Sequence, residues 1–141
     1  MNKLLVVGTT LALGVSACAA NAQTSSAQTE ISTAHAHALM AQSATSVAMA
    51  HTHLHHVINC LVGPGGNGFE AAAGNPCKGQ GKGAMTDASS DHALHAKLES
   101  ALGDAQAGLK SESLAAVQQD AGKAAAGLQD ASTAKAGSSS W

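Results

Sequence analysis

Apolar residues recur at helical spacing in three segments of this chain, and most of them are small. The segments cover residues 32–62, 87–109 and a third stretch that starts at Ser111 or Ser113. Phe69 and Trp141 are the only aromatic residues, and no β-branched run suggests a strand outside the N-terminal region. The predicted fold class is therefore all-α, a small Ala-rich helical bundle of three to four helices. The fourth helix arises if the long first segment bends into two arms.

Residues 63–85 separate the first two helical segments and contain eight glycines and both prolines of the chain. This composition predicts a long Gly-rich loop. Cys60 comes just before the loop, and Cys77 lies within it. We expect these two cysteines to form a disulfide that closes the loop and stabilises the fold by about 3 kcal/mol. The alternative is that one or both thiolates bind a metal ion.

The N-terminus has the pattern of an export signal. A short charged start precedes an apolar run of about a dozen residues, too short to span a bilayer. Residues 15–18, Val-Ser-Ala-Cys, resemble the lipobox of bacterial lipoproteins, which implies lipidation of Cys18; residues 20–22, Ala-Asn-Ala, resemble an ordinary cleavage site. We predict a signal peptide over 1–22, a flexible tether over 23–33 and a helical His-rich domain over 34–137. The mature protein is expected to be periplasmic or a membrane-anchored lipoprotein, with only the lipid touching the membrane.

Eight histidines are the feature most suggestive of chemistry, and four of them fall within residues 51–56. On a helix these residues form two ridges, one of His51, His55 and Asn59 and the other of Met49, His53, His56 and Cys60. The second helical segment adds His92 and His95 at i, i+3. If the first two helices pack antiparallel, four imidazoles would converge. The predicted metal ligands are His51, His55, His92 and His95, followed by His53, His56 and Asn59, with His35 and His37 as a weaker outer site.

Copper is the preferred ion, because Met40, Met49 and Met85 offer thioethers beside the imidazoles. Filling of the core is the competing interpretation of these methionines, and the better one for Met40. Zinc and nickel suit the imidazoles equally well. Non-covalent haem is less expected, and covalent haem is excluded by the lack of a C-x-x-C-H motif.

Several function classes are disfavoured. The chain has no arginine and its lysines are scattered, which argues against nucleic-acid binding. No H-E-x-x-H motif or nucleophile–histidine arrangement indicates an enzyme. The G-x-G-x-x-G match at residues 63–68 lacks the strand and helix that a dinucleotide site requires. The leading hypothesis is an exported metal-binding protein that buffers, stores or delivers metal in the cell envelope. The alternative is an envelope lipoprotein without metal, a protein-interaction or structural module whose histidines are solvated.

Overall fold

The computed structural model describes the backbone of residues 16–136 and the side chains of residues 26–134. These residues form α1 (Ser16–Gln42), α2 (Val47–Val62), a 3-10 turn (Ala71–Ala73), α3 (Ala84–Asp87), α4 (His92–Lys110) and α5 (Leu114–Ala136). The described part of the chain has no strand, so the all-α prediction is confirmed. None of its helices has the length and apolar character needed to cross a bilayer. Residues 1–15 of the predicted signal peptide and the side chain of Cys18 lie outside the described residues.

The first helical segment is a hairpin rather than one helix. The prediction of a single helix over 32–62 is wrong, and its two-armed alternative is correct. The Ser43 hydroxyl donates to the Leu39 carbonyl at 2.9 Å and so competes for helical backbone groups near the end of α1. Ser46 is the N-cap of α2, and its hydroxyl accepts a hydrogen bond from the Met49 amide at 3.2 Å. The short connection over 43–46 turns the chain back, so α1 and α2 pack antiparallel.

Residues 23–33 belong to α1, whereas the sequence suggested a flexible tether. Ala27 and Ile31 have no exposed surface, and Glu30 is 1% exposed. Buried positions then continue at helical spacing through Ala34 and Ala38. The many Ser, Thr and Gln residues of this stretch lie between these positions and hide a helical pattern that contains a single large apolar residue, Ile31.

The second and third predicted helices are present with adjusted starts. Residues 84–87 form the separate short helix α3, and α4 begins after Asp91, whose carboxylate accepts from the Leu94 amide at 3.0 Å. Asp91 is therefore the cap of α4, which begins later than the predicted start at residue 87. The Ser113 hydroxyl accepts from the Ala116 amide at 3.3 Å, which confirms one of the two expected starts of α5. The largest wholly buried apolar side chains of the core are Ile31, Leu54, Leu61, Leu98 and Leu128.

Residues 63–83 are fastened to α2 at two adjacent positions. The predicted disulfide is confirmed: Cys60 and Cys77 are bonded and buried, with their Cα atoms 5.2 Å apart. The Asn59 side chain donates to the carbonyls of Glu70 at 2.8 Å and Gly74 at 2.6 Å, and accepts from the Glu70 amide at 2.8 Å. Asn59 is fully buried and satisfied by backbone partners, so it holds the loop.

The end of this loop rests on a buried carboxyl group of α1. Glu30 accepts a hydrogen bond from the Gly83 amide at 2.8 Å and lies beside Asp87. Burial and the neighbouring Asp87 raise the pKa of Glu30 to about 7, against the lowering effect of the Gly83 amide. A β-carbon at Gly81 would collide with both carboxyl groups. Glycine at this position therefore lets the loop lie directly over the acidic pair.

The two ends of the loop also meet each other, which yields a test of the backbone geometry. Gly63 has φ +70°, and a β-carbon there would overlap the Lys82 carbonyl oxygen. Gly79 has a similar φ of +83° but faces open space. We expect Gly79→Ala to cost about 1 kcal/mol from its backbone conformation alone, and Gly63→Ala to cost at least about 1 kcal/mol more because packed backbone must move. Urea unfolding, followed by circular dichroism, measures the free energy of unfolding of both variants. Equal losses of stability would contradict the close approach of Gly63 to the Lys82 carbonyl.

Candidate metal centre

Three histidine side chains from two helices meet on one side of the α1–α2 hairpin. His37 belongs to the later part of α1, and His53 and His56 lie about one turn apart on α2. Nδ1 of His37 is 3.2 Å from Nδ1 of His53 and 3.3 Å from Nδ1 of His56. Ligand atoms from the three rings all lie within 4.8 Å of one another. We call this group the histidine cluster; each of its rings directs one nitrogen toward a common centre.

The loop orients one of these rings. Nε2 of His56 is 2.7 Å from the carbonyl oxygen of Ala73. Because a carbonyl oxygen only accepts, we assign the ring proton of His56 to Nε2, which leaves a lone pair on Nδ1 in the neutral ring. That lone pair is directed to the centre of the cluster. Metal-binding histidines are commonly held in this way, with the second ring nitrogen donating to a backbone carbonyl.

The spacing of the nitrogens suits a small transition-metal ion. Imidazole nitrogens bind zinc at about 2.0–2.1 Å, so two of them in a tetrahedral site lie about 3.3–3.4 Å apart. The two Nδ1–Nδ1 distances from His37, 3.2 and 3.3 Å, are close to that edge. The ligand nitrogens of His53 and His56 lie within 4.8 Å of each other. Small side-chain rotations can shorten this distance to that of a tetrahedral edge.

The cluster offers three protein ligands and leaves a fourth position open. Among the described residues, no further His, Cys, Asp or Glu joins the group. All three histidines are partly exposed, so water or an incoming ligand can reach the centre. Sites with three protein ligands and an open fourth position are those at which zinc exchanges ligands or acts on substrates, whereas structural zinc sites are closed by four.

Without an ion, the cluster favours uncharged rings at His37 and His53. Burial is the main reason that the pKa of His37 falls to about 4, and positive charge on His56 and then on His53 adds to the effect. Burial and His56 also lower the pKa of His53. The hydrogen-bond pattern agrees, because a single Nδ1 proton on His37 satisfies the lone pairs of both neighbours. A metal ion requires a lone pair on each ligating nitrogen, so binding at Nδ1 of His37 requires its proton to move to Nε2 of the same neutral ring.

The histidines that meet in the structure are not the four that the sequence analysis ranked first. His53 and His56, ranked second by the sequence, form the cluster with His37 of the weaker outer site. His51 instead has Nε2 at 3.1 Å from the Ser111 carbonyl and so contacts the end of α4. The side chain of His55 is partly buried, and its Nδ1 has no hydrogen-bond partner within the described residues.

The remaining candidates do not reach the cluster either. His92 is exposed at the start of α4, and Nδ1 of His95 lies 3.7 Å from a carboxylate oxygen of Glu99 in the next turn of the same helix. His35 is outside the cluster although it lies two residues from His37. The convergence expected between α2 and α4 is therefore replaced by one between α1 and α2.

A signal for the correct pair was present in the sequence. Met49, His53, His56 and Cys60 form one ridge of α2, and the disulfide of Cys60 fixes that ridge beneath the loop. On the other ridge, His51 contacts the Ser111 carbonyl at the end of α4 instead. Choosing the ridge that ends in the bonded cysteine would have selected His53 and His56. His37 could be added only once the turn at 43–46 was known.

Comparison with known proteins adds no assignment. No protein-family model, curated protein or solved structure matches this chain.

The lowered pKa of His37 predicts how the metal-free protein responds to acid. In the unfolded chain His37 takes up a proton near pH 6.5, whereas in the folded chain it does so near pH 4. Protons therefore bind the unfolded chain more readily in this window, and His37 makes folding less favourable as the pH falls from 6.5 toward 4. In urea unfolding with a chelator present, His37→Asn should lose less stability than wild type between pH 7 and pH 4.5.

Nuclear magnetic resonance of the ring nitrogens gives the direct measurement. The His37 resonances should titrate well below pH 6.5 in the metal-free protein. A midpoint at or above 6.5, or the same pH dependence of stability in wild type and His37→Asn, would contradict this account of the cluster.

Proposed function

We propose that this protein binds one transition-metal ion through His37, His53 and His56, with copper preferred and zinc or nickel as alternatives. The observation that carries the proposal is the convergence of three Nδ1 atoms, one of them oriented by the Ala73 carbonyl. Imidazole is a ligand of borderline softness and suits copper, zinc and nickel. The chain has no arginine, and few of its other polar side chains are clustered. Metal binding is therefore the best-supported activity.

The open fourth position favours exchange over permanent structural binding. A protein that buffers, stores or delivers an ion must release it, and release is easier where an incoming ligand can reach the metal. The three ligand side chains are partly exposed, in keeping with such access. We therefore propose buffering or delivery, with no enzymatic activity, as the role of the bound ion.

The cell envelope is the proposed location. The apolar run near the N-terminus and the lipobox-like residues before Cys18 support export. The Cys60–Cys77 disulfide supports it independently, because such bonds persist mainly in oxidising compartments. In that setting a metal site made of imidazoles has the advantage that it contains no thiolate to oxidise.

Metal titration of the purified, disulfide-bonded protein tests the proposal. Co(II) serves as a coloured probe of a tetrahedral site, and Zn(II) is then measured by competition. Wild type should bind one equivalent. His37→Ala and His53→Ala should each weaken binding at least about tenfold, because each removes one of three ligands.

The double variant His51→Ala/His55→Ala is the matched control, since it removes two histidines from the other ridge of α2. It should bind Co(II) as wild type does, even if loss of the His51 contact with Ser111 lowers stability. Failure of wild type to bind Co(II), Zn(II) or Cu(I) more tightly than a free His-rich peptide would refute the metal function and favour an interaction module.

A further inference from the structure

The exposed large hydrophobic side chains of the described residues flank the turn of the hairpin that carries the histidine cluster. They are Leu39, Met40 and Met49, which are 45%, 47% and 48% exposed. Single exposed apolar residues are ordinary on protein surfaces. Here all three flank one turn of the chain, at residues 43–46, and two of them are methionines. The sequence favoured a core role for Met40, and its exposure shows that this interpretation is wrong.

Helix geometry places the two methionines in the layer next to the cluster. Met40 follows His37 by three residues on α1, and Met49 precedes His53 by four on α2. Because the helices are antiparallel, each methionine lies nearer to the turn than the histidine of its own helix. At a rise of 1.5 Å per residue, the offset along the helix is about 4.5 Å for Met40 and about 6 Å for Met49. The Nδ1 atoms of His37 and His53 are 3.2 Å apart, which fixes the register of the two helices. Met40 and Met49 therefore lie across from each other at the turn end of the hairpin.

Thioether sulfur has a chemistry distinct from that of the cluster. Methionine binds soft ions such as Cu(I) and is a poor ligand for zinc, whereas imidazole accepts both. The methionine side chain is long and flexible, so two of them on adjacent helices can adjust to share an ion. Their exposure keeps the sulfur atoms within reach of a donor that releases Cu(I).

We propose that Met40 and Met49 form a Cu(I) acquisition site at the turn end of the hairpin, from which the ion passes to His37, His53 and His56. This inference rests on the proposed function of the cluster, because it supplies the route by which copper reaches it. Copper remains Cu(I) throughout, so no electron donor or acceptor is needed. Imidazole Nδ1 atoms replace the thioethers one at a time. The neutral His37 ring loses its Nδ1 proton to solvent and takes one up at Nε2, so it stays neutral.

Titration with Ag(I), a soft, diamagnetic substitute for Cu(I), tests the site by nuclear magnetic resonance of the methionine methyl groups. The methyl signals of Met40 and Met49 should shift together at the first equivalents, while that of Met85, which packs against the core, should not. The variant Met40→Leu/Met49→Leu keeps similar side-chain size and removes both sulfurs. Its rate of Cu(I) uptake from a chromophoric chelator should fall at least tenfold, with Co(II) affinity unchanged. Met85→Leu should behave as wild type in both assays.

The same titration in His37→Ala/His53→Ala separates this inference from the metal function itself. The Met40 and Met49 methyl signals should still shift with Ag(I), although Co(II) binding is lost. If wild type binds Co(II) but the two methyl signals do not move, or the Leu variant takes up Cu(I) at the wild-type rate, the methionine site is refuted while the cluster stands. If the methyl signals move but wild type binds no Co(II), Zn(II) or Cu(I) at the cluster, the proposed function fails and transfer to the cluster fails with it.

Discussion

The attachment of residues 63–83 to α2 determines the rest of the arrangement. Asn59 holds the backbone at Glu70 and Gly74, and the adjacent Cys60 is bonded to Cys77. Ala73 lies between Glu70 and Gly74, and its carbonyl orients His56. A loop rich in glycine has many accessible conformations, so its ordering carries a large entropic cost. Covalent and buried polar anchors on neighbouring residues offset this cost where the orienting carbonyl is needed.

The acidic pair and the histidine cluster give the hairpin two opposite responses to pH. Glu30 keeps its proton up to about pH 7 in the folded chain and loses it near 4.5 when unfolded, so its contribution weakens folding as the pH rises through that range. His37 weakens folding as the pH falls from 6.5 toward 4. The two groups lie on the same helix, two turns apart, and oppose each other. Between about pH 4.5 and 6.5 the two effects largely cancel, so stability depends less on pH in this range than it would with either group alone.

Features set by residues close together in the sequence could be predicted better than features that require separate segments to meet. Helical spacing predicted the α-helical class, and the pairing of Cys60 with Cys77 followed from their position around the loop. The H-x-x-H spacing identified His53 and His56 as able to share an ion. A bend in the first segment was predicted as an alternative, but its position at 43–46 was missed because serine is tolerated inside helices. Only the hydrogen bond of Ser46 shows that it begins a new helix. Without that turn, His37 could not be placed opposite α2. The helical role of residues 23–33 was hidden because only Ala27, Glu30 and Ile31 are buried among the side chains described there, and the rest of the stretch is polar.

The histidine cluster draws on a short length of chain. His37 is separated from His53 by 16 residues and from His56 by 19, and the disulfide spans 17. Closing loops of this size costs less entropy than closing longer ones. The three ligands all belong to α1 and α2, so the complete ligand set needs only these two helices to pair and takes no residue from α4 or α5. An ion that is present during folding would join two helices at their first encounter and act as a nucleus for the remaining core.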